Sequence, residues 1–164
     1  MNREDEKPQA GLYLVAVPIG SARDITLRAL DLLADHPGAE ILAGGHSLIP
    51  TMKTGLSSPD ALVDLGEVDD LHSVEHESEA TRIGAMTTYS TVTDDEECWE
   101  SIPVVAEATA AIGDKQVRNR GTVGGNIAHA DPASDLPAAM LAADATVHAQ
   151  GPDGERAIPI EGFF

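Results

Sequence analysis

The sequence predicts an α/β (α+β) domain, and three observations carry that prediction. Short apolar runs of strand length alternate along the chain with stretches of helical composition, the order that mixed folds produce. Hydrophobic residues make up 42% of the 164, close to ordinary globular usage and enough for a real core. The aromatic residues are only Tyr13, Tyr89, Trp99, Phe163 and Phe164, so the core has to be built from Ala, Val, Leu and Ile.

Residues 1–10 are polar and charged and read as a flexible leader. Leu12–Val17 is a continuous apolar run of strand length, ended by Pro18 and Gly20. Ser21 then caps a helix whose apolar face holds Ile25, Leu27, Ala29, Leu30, Leu32 and Leu33, with His36-Pro37-Gly38 as its stop. Glu40–Gly45 reads as a strand running into a glycine turn, followed by a turn of helix around Thr51–Lys53. Ala61–Leu65 is a further strand. Residues 67–79 alternate acids with apolar positions, which predicts an exposed hairpin strand that Thr81–Ala85 completes. Thr88–Val92 is open between readings, a short helix among them. Ile102–Ile112 is an Ala-rich helix with Pro103 in its first turn, and Leu136–Ala143 is another, entered through Ser134 or Asp135. Thr146–Ala149 and Arg156–Ile160 read as strands about a turn at Gly151–Gly154.

Charge and cysteine usage exclude several functions. Twenty-eight Asp and Glu against ten Lys and Arg give a formal net charge of −18, a surface that repels nucleic acid and resembles those of proteins from salt-loving organisms. Cys98 is the only cysteine, which rules out an internal disulfide, a Cys-rich zinc site and an internally ligated iron–sulfur cluster. Asp94, Asp95, Glu96 and Glu97 disfavour its thiolate, so it reads as a passive, partly packed residue. The six histidines show no metal-ligand spacing, and the acidic clusters at 67–79 and 94–100 lack a calcium-loop pattern, so no metal site is expected. No segment has the roughly eighteen apolar residues of a membrane span and the N-terminus lacks a signal-peptide core, which predicts a cytoplasmic protein.

Two glycine motifs carry the chemistry. In Ile41-Leu-Ala-Gly-Gly-His-Ser-Leu-Ile-Pro50 a strand feeds a Gly-Gly turn, where backbone N–H groups and the Ser47 hydroxyl suit a phosphate. In Gln116-Val-Arg-Asn-Arg-Gly-Thr-Val-Gly-Gly-Asn-Ile-Ala-His-Ala-Asp-Pro-Ala-Ser-Asp135 a second pair, Gly124-Gly125, follows a basic cluster of Lys115, Arg118 and Arg120. Each pair alone reads either as an anion loop or as an ordinary turn. Together they allow one phosphate of a pyrophosphate each, with Thr122 and Asn126 adding side-chain hydrogen bonds. Asp135 is open between a helix N-cap and an acceptor from a ribose hydroxyl. His129 and Asp131 read as a hydrogen-bonded loop pair. Neither a Gly-x-Gly-x-x-Gly fingerprint nor a P-loop is present.

These two motifs, with Ile83-Gly-Ala-Met-Thr-Thr88 between them and Arg156-Ala-Ile-Pro-Ile-Glu-Gly-Phe-Phe164 after them, occur in the order found in a known family. From about Ala29 to Phe164 the chain resembles the FAD-binding medium subunit of aerobic carbon monoxide dehydrogenase and related molybdenum hydroxylases. The resemblance implies an FAD-binding domain of the vanillyl-alcohol-oxidase type, with two small α/β subdomains and FAD stretched between them. It also implies that Ala43, Gly44, Gly45, His46, Ser47 and Leu48 form a first FAD loop, and Thr122, Val123, Gly124, Gly125 and Asn126 a second. Ile112 and Asp135 match further positions that contact the cofactor. The implied function is an FAD-dependent oxidoreductase subunit that passes electrons, with a molybdopterin-binding large subunit and a [2Fe–2S] small subunit as partners and no catalytic side chain of its own. The family's domain continues beyond Phe164, so the chain is expected to be C-terminally truncated. Residues 11–28, Leu12-Tyr-Leu-Val-Ala-Val-Pro-Ile-Gly20 above all, instead resemble the start of tetrapyrrole-methylase-type ribosomal-RNA methyltransferases. That leaves an S-adenosylmethionine-dependent methyltransferase fragment, or a non-catalytic fusion product, as alternatives.

Overall fold

The computed structural model describes residue 29 and residues 31–78, 80–151 and 154–164. The leader, the Leu12–Val17 strand, the Ser21 cap and the methyltransferase-like segment 11–28 all lie outside the described residues. The described end of the first helix, residues 31–35, stops before His36-Pro37-Gly38 as expected. Strand β1, Ala39–Leu42, pairs in parallel with β2, Ala61–Asp64, in the register Ala39↔Ala61 to Leu42↔Asp64. Parallel neighbours need a crossover rather than a tight turn, and here the crossover contains helix α1, Leu48–Lys53. This helix starts three residues earlier than its sequence suggests, because Pro50 is tolerated in a first turn, where N–H groups have no intrahelical acceptor.

Beyond β2 the acidic alternation misleads. Residues 69–71 form a 3-10 turn, with Val68 and Leu71 both buried rather than strung along an exposed strand. A three-residue repeat stacks positions i and i+3 on one side, which turns these two apolar side chains inward together. The antiparallel hairpin follows as β3, Val74–His76, and β4, Thr81–Ile83. Helix α2, Tyr89–Asp94, is capped by Thr88, whose hydroxyl accepts from the Thr91 N–H at 3.2 Å. The acidic run after it is a helix that the composition hides, α3, Glu96–Ser101. Asp95 caps it by accepting from the N–H groups of Glu97 and Cys98, and Glu96 and Glu97 occupy the first turn, where negative charge favours a helix.

Helix α4, Pro103–Ala111, has its proline in the first turn as predicted, with Ile102 as its cap rather than its first residue. Asp114 caps the short α5, Lys115–Arg118, and Thr122 caps α6, Val123–His129. Helix α7 spans Asp135–Ala142. Strands β5, Thr146–Gly151, and β6, Gly154–Pro159, close the described fold as an antiparallel hairpin.

Two separate cores result, which matches the two small subdomains that the resemblance implies. One gathers Leu65, Val68, Leu71 and Met86 beneath β1 and β2, with Ile41 and Val63 against them. The larger one packs α2, α3, α4, α6 and α7 through Val92, Cys98, Val105, Ile127, Leu136 and Met140, and is almost wholly aliphatic, with Tyr89 its one buried ring. The segment 84–89 straps them together. Its Met86 enters the first core and its Tyr89 the second, while Gly84 N–H donates to the Ser73 carbonyl and Met86 N–H to that of Leu71. Among the described residues no helix is long and apolar enough to cross a membrane.

Candidate functional site

The strap is also what organises the two glycine motifs. The Val123 N–H donates to the Thr87 carbonyl and the Gly124 N–H to that of Ala85, each at 2.9 Å. The Tyr89 N–H in turn donates to the Gly121 carbonyl at 3.0 Å. A side chain on Gly124 would place its Cβ 2.6 Å from Cβ of Ala85, so the glycine lets α6 lie directly on the strap. The first motif meets the second from the other side. A Cβ on Gly44 would stand 2.0 Å from the Arg120 carbonyl oxygen, so the backbones of the two motifs touch where only glycine fits. Gly45 next to it has φ of +74°, the left-handed region that turns the chain out of β1 and into α1.

The two motifs differ in what they offer a ligand. Gly124-Gly125 is neither a turn nor an open anion loop but the first turn of a helix, and its amides are already used. Val123 and Gly124 donate to the strap, Gly125 to the Thr122 hydroxyl at 3.2 Å, and Asn126 to the Thr122 carbonyl. The first motif is the reverse case. Among the described residues the amides of Gly44, Gly45, His46, Ser47 and Leu48 find no acceptor, and Ser47 makes no capping bond with its side chain. Consecutive N–H groups turned around a left-handed glycine form a concave donor surface for an anion. The loop is partly buried at Gly44, Gly45 and Leu48, and open at His46 and Ser47. In the donor set, the second motif supplies the wall and the first supplies the hydrogen bonds.

Several side chains assigned a ligand role have internal partners. Asn126 donates through Nδ2 to the Tyr89 hydroxyl and accepts through Oδ1 from the Ser134 hydroxyl, both at 2.9 Å. Arg118 donates to the carbonyls of Ile112 and Gly113, tying off the end of α4, and so leaves the supposed basic cluster. Ile112 itself packs partly buried against the larger core. Asp135 is not the cap of α7; that position is Ser134, and Asp135 is the exposed first residue, favourably placed for the helix dipole. Asp131 accepts from the Ala133 N–H rather than pairing with His129. A cleft of ≈ 890 Å³ between the β3–β4 hairpin, α6 and β5 takes in Val123 and Gly124 but none of Ala43–Leu48, so the backbone contact, not this cleft, joins the two motifs.

Tyr89 and Ser134 are the residues that the sequence reading missed. Burial raises the Tyr89 phenol above its ordinary pKa, an effect that the hydrogen bond from Asn126 partly offsets. Tyr89→Phe strips Asn126 of its acceptor inside the protein, and a loss of about 1–2 kcal/mol in urea unfolding is expected. Ser134→Ala, on the more accessible side of the same amide, should cost less.

The geometry thus describes a two-core mixed domain with a donor loop at the junction of its glycine motifs, and similarity to known proteins agrees with it. The family model described as "FAD binding domain in molybdopterin dehydrogenase" matches residues 24–164, and the chain belongs to that family. The carbon monoxide dehydrogenase medium chain of Hydrogenophaga pseudoflava is 42% identical over 126 residues, covering 77% of this chain and 44% of its own. Subunit alpha of the 6-hydroxypseudooxynicotine dehydrogenase complex of Paenarthrobacter nicotinovorans is 41% identical over 156 residues, covering 94% and 50%. Among solved structures, a chain of the Hydrogenophaga pseudoflava carbon monoxide dehydrogenase superposes with a TM-score of 0.81 at 41% identity, over 84% of this chain and 48% of that one. The chain spans about half the length of the relatives it matches. The family model begins at Asp24, inside the segment 11–28, and the methyltransferase resemblance expected of that segment is not shown.

Proposed function

We propose that this chain is the FAD-holding part of a molybdenum-hydroxylase-type oxidoreductase subunit, in which electrons arrive from iron–sulfur clusters of a partner small subunit after substrate oxidation on a molybdopterin-binding large subunit. The observation that carries the proposal is the run of amides from Gly44 to Leu48 without acceptors among the described residues, held against the second glycine motif by a contact only glycine permits. In this reading Gly44–Leu48 bind the diphosphate through backbone N–H groups, and Ser47 adds its hydroxyl. Thr122, Val123, Gly124, Gly125 and Asn126 act mainly by position, fixing α6 against the first loop. Ile112 and Asp135 stand at the margin of that arrangement, with Asp135 free to accept from a hydroxyl. Bound FAD supplies the redox chemistry, and the protein contributes binding and orientation rather than an acid, base or nucleophile. Choice of substrate then rests with the large subunit.

Adding FAD to the purified, flavin-free chain tests the reading. A stoichiometric yellow complex is expected, with a stability gain of about 2.7 kcal/mol when FAD is about 100 times its Kd. Unchanged flavin absorbance and an unchanged unfolding midpoint would sink it. S-adenosylmethionine in a parallel titration should give neither heat nor stabilisation.

A further inference from the structure

The spacing of histidines and acids in the sequence gives no metal pattern, yet the fold brings three different donors together far from the glycine motifs in sequence. His76 comes from β3, Asp95 is the cap of α3, and Cys98 lies in that helix's first turn; one donor atom from each lies within 4.8 Å of the other two. We propose that His76, Asp95 and Cys98 bind one divalent transition-metal ion of the zinc class, which clamps the β3–β4 hairpin onto the N-terminus of α3.

The donors are held ready by the fold. Asp95 uses Oδ1 to accept from the N–H groups of Glu97 and Cys98, which leaves Oδ2 aimed at His76 Nε2, 3.0 Å away. The other ring nitrogen of His76, Nδ1, faces the Thr81 hydroxyl at 3.4 Å and a Glu97 carboxylate oxygen at 3.9 Å. A ligating histidine needs an outer partner of this kind to fix its tautomer and ring orientation. Charge points the same way. Among the described residues the ion pairs of Asp95 and Glu97 are with His76 alone, while the nearby Arg82 is engaged by Glu77 at 2.7 Å. Two carboxylates therefore share one imidazole, a local excess of negative charge that a divalent cation neutralises.

The donor set selects the metal class. Thiolate and imidazole with one carboxylate suit zinc and its spectroscopic substitutes cobalt and cadmium, and do not suit magnesium or calcium. Three protein ligands leave a fourth position for water on the side of His76 and Asp95, which are partly exposed, whereas Cys98 is fully buried. Cysteine ligates a metal as the thiolate, so metal binding displaces the Cys98 proton from sulfur to solvent.

Cobalt(II) titration of chelator-treated full chain reads this site directly, because a cobalt–thiolate charge-transfer band has a single possible source in a chain with one cysteine. One equivalent should produce the band, release about one proton and raise the unfolding midpoint, and zinc should bleach it. Cys98→Ala should abolish the band. Asp95→Asn retains a competent helix cap and His76→Gln keeps the thiol, so both remain readable; each should weaken cobalt binding at least about tenfold. Absence of the band in the wild-type chain overturns the proposal, as does a wild-type affinity in either of the last two variants.

Discussion

Gly44→Ala is expected to abolish FAD retention and to lower stability by about 3 kcal/mol or more, among the larger effects a single substitution produces. The added Cβ would stand 2.0 Å from the Arg120 carbonyl oxygen, 2.9 Å from its carbon and 3.0 Å from Cα of Gly121. All three are backbone atoms, so no side-chain rotation relieves the overlap, and either the first loop or the turn before α6 has to move. Movement there separates the donor amides of Gly44–Leu48 from the wall that α6 provides. Gly162→Ala is the control, since a Cβ at that position meets nothing within 4 Å. Urea unfolding and flavin content measured on both variants decide the matter; equal behaviour would refute the assigned contact.

The second large effect lies in the core beneath the site. Leu136 is fully buried in the helix that follows the second motif, and Leu136→Ala leaves a cavity with an expected cost of about 3 kcal/mol. For a domain of this size that corresponds to a fall in Tm of about 6–12 °C. Leu141 sits on the same helix at 42% exposure, and its replacement by Ala should cost under about 1 kcal/mol. Comparable losses at the two positions would mean that α7 does not pack as described.

The fold was legible wherever local pattern and tertiary context agree. The strands at Ala39–Leu42, Ala61–Asp64, Thr146–Gly151 and Gly154–Pro159 stand where apolar runs and turn residues predict them. So do the helices at Pro103–Ala111 and Asp135–Ala142. What failed has a common physical cause: polar residues spent on backbone groups look, in a sequence, like polar residues facing solvent or ligand. Asp95 in an acidic run caps a helix, and Arg118 in a basic cluster ties off another. Asn126 beside a glycine pair bridges Tyr89 and Ser134. The glycine pair itself misled in a different way, because close approach to another backbone and close approach to a phosphate demand the same missing Cβ. Composition could not distinguish Gly124, which packs against Ala85, from Gly45, which turns a loop.

The touch between Gly44 and Arg120 joins segments far apart along the chain. Helices such as α4 and α7 form from near neighbours, but this contact closes a long loop, whose entropic cost falls due before any reward. By this argument the donor loop is expected to be complete only once the second motif has docked against the first. Flavin capture during refolding would therefore time the closing of that contact.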